Sequence, residues 1–276
     1  MLKKKIASLQ GKMTSEIEVN LARIFQKRQT QLYCIGTAKS GTHSIASMFN
    51  KTVRSQHEPQ DNGLIEQILD FEAGRSSSQN LKKYIRTREK QLHLDVDSSQ
   101  LNFFVLDILI NEFNNAKFLL TIRDCYSWLN SIINDSLRRT TSKEWIKFRD
   151  FRFKPEVFEH QPEENILKEH GLYTLNGYLS YWAMHNKKAL STVPDERLLI
   201  VRTDQISNKA YEIAEFAGLT QNSIDLQKSH AFKNPTKYGI LSKIDSDYLE
   251  QRVHHYCQPL MKQFFPEIKT MKDANL

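Results

Sequence analysis

Residues 36–44, Gly-Thr-Ala-Lys-Ser-Gly-Thr-His-Ser, gather one lysine, four hydroxyls and two glycines into nine positions. An apolar run, QLYCIGT, enters this stretch, and SGTHSIASMF leaves it with helical character. The pattern predicts a buried strand, a glycine turn and a helix start. Backbone N–H groups at a helix start converge on one point, and the helix dipole adds partial positive charge there. An anion is the matching occupant. Gly41 allows close backbone approach, Lys39 adds a full charge, and Ser40 and Thr42 add hydroxyl donors. Thr37, His43 and Ser44 complete the candidate loop.

The ATP and GTP form of such a turn is GxxxxGK[ST], with lysine directly after the second glycine. Gly36 and Gly41 have that separation, but Thr42 follows Gly41 and the lysine precedes it. This disfavours a nucleotide kinase, which stands as one alternative. The Lys39-Ser40-Gly41-Thr42 run after the first strand resembles instead the 5′-phosphosulfate loop of PAPS-dependent sulfotransferases (PAPS is 3′-phosphoadenosine 5′-phosphosulfate). That resemblance implies a second element for the donor's 3′-phosphate: an arginine at a strand end and a serine eight residues on. Arg123 closes KFLLTIR, and Ser131 follows at that spacing in CYSWLNS. A strand-end guanidinium offers a two-pronged donor to phosphate, and the serine adds a neutral donor. FKNPTKYG, residues 232–239, is similar to the family's basic loop over the 3′-phosphate, which nominates Lys233, Lys237 and Gly239. Thr42-His43-Ser44 stands where many cytosolic members carry Thr-Thr-Trp, so the adenine is expected to stack elsewhere, on Phe232.

Sulfuryl transfer of this kind needs in-line geometry, charge stabilisation at the leaving phosphate, and a base for the acceptor proton. Lys39 is placed for the charge. For the base, His57-Glu58 in VRSQHEPQ follows the first helix, where a strand C-terminus would open on the ligand crevice. The resemblance to glycosaminoglycan-type members favours Glu58. Asp97, in DVDSS, occupies the strand on which cytosolic members keep a histidine, and is the alternative base or an acceptor-binding carboxylate. No metal-ligand spacing is present, and none is expected; the resemblance implies PAPS as the donor, 3′,5′-ADP as the product, and a small-molecule acceptor with a hydroxyl or amine.

The elements that would position these residues alternate. QLYCIGT, HLDVDSS, AKFLLTIR and ERLLIVRTDQI read as strands, separated by amphipathic helices including 61–75, LKKYIRTREKQL, GLYTLNGYLSYWAMHNKKAL and NKAYEIAEFAGL. An amphipathic helix is predicted over 13–28 and another from SDYLEQRV to Pro266. This order predicts an α/β fold, a doubly wound and mainly parallel sheet flanked by helices, and the resemblance implies that it is the P-loop-like sulfotransferase fold, in one domain over 1–276. Residues 139–170 break the rhythm and read as a loop-rich insertion, a lid over the acceptor, with Trp145, Phe148, Phe151 and Phe153 available to wall it.

Length and composition agree. The chain has 276 residues with 39% hydrophobic and 26% charged content, enough for a packed core and unlike disorder. The net charge of +7 admits an anionic nucleotide, nucleic acid or a membrane surface. The basic residues are spread rather than striped and no nucleic-acid motif appears, so a basic nucleic-acid-binding protein is the other alternative and no nucleic-acid partner is expected. No apolar run reaches membrane-span length, and no membrane partner is expected. MLKKKIASLQGKM has no following apolar block, so export is not expected. Cys34, Cys125 and Cys257 lie far apart, Cys34 inside a strand, which suits reduced thiols. The resemblance then implies a soluble cytoplasmic tailoring enzyme of bacterial natural-product type, as a monomer or homodimer.

Overall fold

A computed structural model describes residues 27–49, 52–229, 237–274 and 276. The helix expected over 13–28 lies, up to residue 26, outside the described residues, as do Lys233 and Phe232.

Five parallel strands form the sheet: β1 (Leu32–Cys34), β2 (Ser55–His57), β3 (Val96–Ser98), β4 (Lys117–Ile122) and β5 (Leu198–Arg202), in the order β2-β3-β1-β4-β5. Leu32 stands opposite Val96 on one side and Lys117 on the other. The α/β, mainly parallel fold class expected from the sequence is the one observed. β1, β3 and all but the first residue of β4 are buried, which explains the near-continuous apolar runs of β1 and β4. β2 is the strand without such a signal: Ser-Gln-His is short and polar, at the sheet edge.

Successive side chains leave a strand on opposite faces. Leu32 and Cys34 therefore join a core with Ile45, Met48 and Ile213, under α1 (Thr42–Met48) and α9 (Ala210–Ala217). Tyr33 and Ile35 point the other way, into a core with Leu64, Ile85, Leu109 and Phe148. That core is roofed by α2 (Asp61–Glu72), α3 (Ser78–Leu92), α4 (Leu106–Glu112) and α6 (Lys143–Phe153). A third cluster joins α5 (Cys125–Arg138), α8 (Leu175–Thr192) and α10 (Ser246–Phe264) around Trp128, Trp182 and Cys257. Cys34, Cys125 and Cys257 are all buried free thiols. No helix among the described residues is long and apolar enough to cross a membrane.

The 139–170 segment is a correction to the sequence reading. It is mostly helical, carrying α6 and the short α7 (Asn165–Glu169). Its aromatics divide: Phe148 and Phe153 are core residues, Phe151 packs against the core, and Trp145 lines the main cavity. The aromatic character that resembled a pocket wall belongs mostly to packing.

Strand order reverses around β1, with β3 and β2 on one side and β4 and β5 on the other. In open parallel sheets such a switch opens a crevice at the strand C-termini. Three indole and hydroxyl bonds pin the loops there. Trp128 Nε1 donates to Ala38 O at 2.8 Å, Trp182 Nε1 to Arg123 O at 3.1 Å, and Thr203 Oγ1 to Ser40 O at 2.7 Å.

Candidate active site

A cavity of ≈ 710 Å³ opens at this switch, lined from the β1–α1 turn, the end of β2, the β4–α5 junction and α6. Lys39, Gly41, Thr42, His43 and Ser44 face it, as do His57, Glu58, Arg123 and Ser131. Most of the residues picked out from sequence are thus brought together, although they span more than ninety positions of chain.

The β1–α1 turn needs its glycines for two different reasons. At Gly36 a Cβ would lie 2.1 Å from Thr121 Oγ1 and 2.6 Å from Thr121 O, because the strand end is pressed on β4. Gly41 is the N-cap of α1 at φ 98°, and a Cβ there would meet Ile206 Cδ1 at 2.4 Å. Gly41 has no side chain to cap α1, and no side-chain cap is made there among the described residues.

Between these glycines Lys39 has φ 67°, a left-handed backbone rare for a residue with a Cβ. Its Nζ pairs with Asp135 Oδ1 at 3.2 Å, and its carbonyl accepts from Arg123 Nη1 at 3.2 Å. Burial lowers the Lys39 pKa, and Asp135 opposes that shift. Asp135 also pairs with Arg138 and Arg139, so one carboxylate serves three cations.

Thr37 and Ser40 are not brought to the cavity wall; both are buried. Ser40 Oγ donates to Thr37 O at 2.6 Å and shares a hydrogen bond with Thr121 Oγ1 at 3.1 Å. Ser40 N also donates to Thr37 O, at 3.2 Å. These groups build the turn, and the cavity is left to Lys39, Thr42, His43 and Ser44.

At the β4–α5 junction, Arg123 Nε donates to Ser127 Oγ at 2.9 Å, and Asp124 caps α5 by accepting from Ser127 N at 2.9 Å. Ser131 stands one helical turn beyond Ser127, and its hydroxyl makes no hydrogen bond among the described residues. Lys237 also lines the cavity, its Nζ donating to Leu276 O. Gly239 has φ 66° but is not on the cavity wall, so the late-loop reading rests on Lys237 alone among the described residues.

His57 and Glu58 sit at the end of β2. Thr42 Oγ1 and His57 Nε2 are 3.1 Å apart, and the His43 and His57 rings meet edge to face at 4.9 Å. Burial, aided by Arg139, lowers the His57 pKa to about 4, so this imidazole is neutral at pH 7. Glu58, at φ 48°, accepts from Gln100 Nε2 at 2.8 Å. Burial raises its pKa, while Gln100 and then Arg152 restrain the rise. A carboxylate shifted toward neutral is a stronger base than a solvated one.

Asp97 is the clear correction. It is 2% exposed and absent from the cavity wall. Its Oδ2 accepts from Arg88 Nη1 at 2.8 Å, and Asn102 Nδ2 donates to its Oδ1 at 3.2 Å. A carboxylate committed to a buried arginine holds β3 to α3 and does not meet an acceptor.

Sequence reasoning missed Gln100, Asp135, Arg139, Arg149 and Arg152, all on the cavity. For Arg149 and Arg152 a signal existed: on a helix their i,i+3 spacing places both on one face. No group of three or more His, Cys, Asp or Glu side chains that could hold a metal occurs among the described residues.

Residues 31–209 match the family model described as a sulfotransferase domain. Among solved structures, the chain is similar to a sulfotransferase from Alicyclobacillus acidocaldarius, at 13% identity and TM-score 0.44, over 84% of this chain and 95% of that one. No curated protein matches the chain.

Proposed function

The chain belongs to the sulfotransferase domain family, and from that premise we propose that it moves a sulfuryl group from PAPS to a hydroxyl or amine of a small-molecule acceptor, releasing 3′,5′-ADP. The observation that carries this reading is the shared cavity: the glycine turn with Lys39, the strand-end Arg123 and the half-buried Glu58 all face it.

Each group has a part in an in-line displacement. The acceptor oxygen or nitrogen attacks sulfur as the bridging S–O bond breaks, and negative charge grows on the 5′-phosphate of the leaving nucleotide. Lys39 leaves Asp135 to meet that charge, with the N–H groups of the α1 start. Arg123 and Ser131 hold the 3′-phosphate, and Lys237 adds charge nearby. Glu58, or neutral His57, accepts the acceptor's proton. Trp145 and α6, within the 139–170 segment, wall the acceptor side. The three buried free thiols suit a reducing cytoplasm.

The donor assignment is tested by calorimetry with two nucleotides. Arg123→Ala is expected to weaken 3′,5′-ADP by about 10–100-fold, the worth of a charge-assisted phosphate contact, and to change 5′-AMP far less. Equal losses for both nucleotides would remove Arg123 from the 3′-phosphate.

A further inference from the structure

The cavity holds more positive charge than the donor accounts for. With Lys39 and Arg123 assigned to the two anionic ends of PAPS, Arg149 and Arg152 remain on the same wall, one turn apart on α6. Arg152 is 5% exposed, yet among the described residues it forms no ion pair. Its guanidinium carbon lies over the rings of Phe148, Phe153 and Tyr181 at 4.7, 4.9 and 5.3 Å, and Nη1 donates to Gln100 Oε1. Arg149 is half-buried and makes neither a hydrogen bond nor an ion pair among the described residues. Burial depresses its pKa, with neighbouring Arg152 adding to the shift, so the cation is held at a cost.

The nearby carboxylates are already engaged. Asp135 is divided among Lys39, Arg138 and Arg139. Asp61 accepts from Trp145 Nε1 at 2.9 Å and from Asn62 N at 2.9 Å. Glu58 takes Gln100 Nε2. Gln100 therefore bridges Arg152 to Glu58, which puts the guanidinium two hydrogen bonds from the base.

We propose that Arg149 and Arg152 form the acceptor's anion site, so that the acceptor is a small molecule carrying a carboxylate, sulfate or phosphate near the hydroxyl or amine that is sulfated. The anion supplies the ion-pair partner that Arg149 and Arg152 lack among the described residues, and its position beside Gln100 aims the nucleophile at Glu58. This rests on the sulfotransferase reading above.

The test uses 4-hydroxyphenylacetate, its uncharged amide and inorganic sulfate as probes, titrated into the full-length protein saturated with 3′,5′-ADP. The carboxylate is expected to bind at least 10-fold tighter than the amide. Arg149→Gln should abolish that preference and weaken sulfate at least 10-fold, and Arg149→Lys should restore part of both. 3′,5′-ADP and PAPS affinities should stay within about 2-fold in Arg149→Gln. Equal binding of carboxylate and amide, or no binding of either carboxylate or sulfate, overturns the proposal. Weakened PAPS with unchanged 3′,5′-ADP assigns the pair to the donor's sulfuryl group and also overturns it. Failure of 3′,5′-ADP to bind the wild-type protein removes the donor reading instead, and sulfate titrated into the free protein still reads the anion site.

Discussion

Glu58→Gln is expected to lower turnover by about 10²–10⁴-fold, the range for losing a general base, with 3′,5′-ADP affinity unchanged. The amide keeps the carboxylate's shape and can still meet Gln100, which lies 2.8 Å from Oε1. What it loses is basicity. The pH profile carries a sharper form of the same expectation. Burial raises the Glu58 pKa, so the base is protonated, and activity falls, at a higher pH than an ordinary glutamate would give. Gln100 stabilises the ionised form, so Gln100→Leu should push the acid limb of kcat/KM further up in pH. His57 stays neutral because burial and Arg139 hold its pKa near 4. If His57→Ala abolishes turnover and shifts that limb while Glu58→Gln does neither, the imidazole is the base.

Lys39→Ala is expected to cost about 10²–10³ in kcat at saturating PAPS, comparable to losing one donor to a developing oxyanion. Single-turnover measurement of 3′,5′-ADP release would read it. A wild-type rate would take Lys39 out of the chemistry. Asp135→Asn adds a contrast. Asp135 holds Lys39 at 3.2 Å, so removing it frees the amine but also removes the carboxylate that Arg138 and Arg139 share with it. An effect mainly on KM for PAPS, with kcat kept, identifies Asp135 as a positioning residue.

The site was legible in sequence where its parts are contiguous. Residues 36–44 lie on one strand–turn–helix, and Gly36 and Gly41 announce the turn without any long-range knowledge. Arg123 and Ser131 could be paired because a strand end and two turns of helix fix their separation. Side-chain direction inside the turn was not legible. The left-handed Lys39 rotates the chain so that the Ser40 hydroxyl points back to Thr37 O. Asp97 misled for a related reason: it sits in the middle of β3, where its side chain faces Arg88 of α3. β2 carries no pattern because three polar residues on an edge bury nothing continuous. The Glu58–Gln100–Arg152 chain draws on three distant segments, and only the fold brings them together.

The left-handed backbone at Glu58 has a consequence for heat stability. A residue with a Cβ in that conformation costs roughly 1–2 kcal/mol, and glycine avoids the clash. Glu58→Gly and Glu58→Ala both remove the carboxylate, so their difference isolates the backbone. Glycine loses about 0.5–1 kcal/mol of that advantage through its freer unfolded chain, which leaves it ahead by up to about 1.5 kcal/mol. At roughly 2–4 °C per kcal/mol for a chain of this size, Glu58→Gly should melt a few degrees above Glu58→Ala in calorimetry, with both inactive. Glu58→Gly melting below Glu58→Ala by the full entropic penalty of glycine would mean that φ 48° carries no strain. A Glu58→Gly protein that melted above the native one as well would make this position one where thermal stability and activity pull in opposite directions, so selecting variants for heat resistance alone would remove the Glu58 carboxylate.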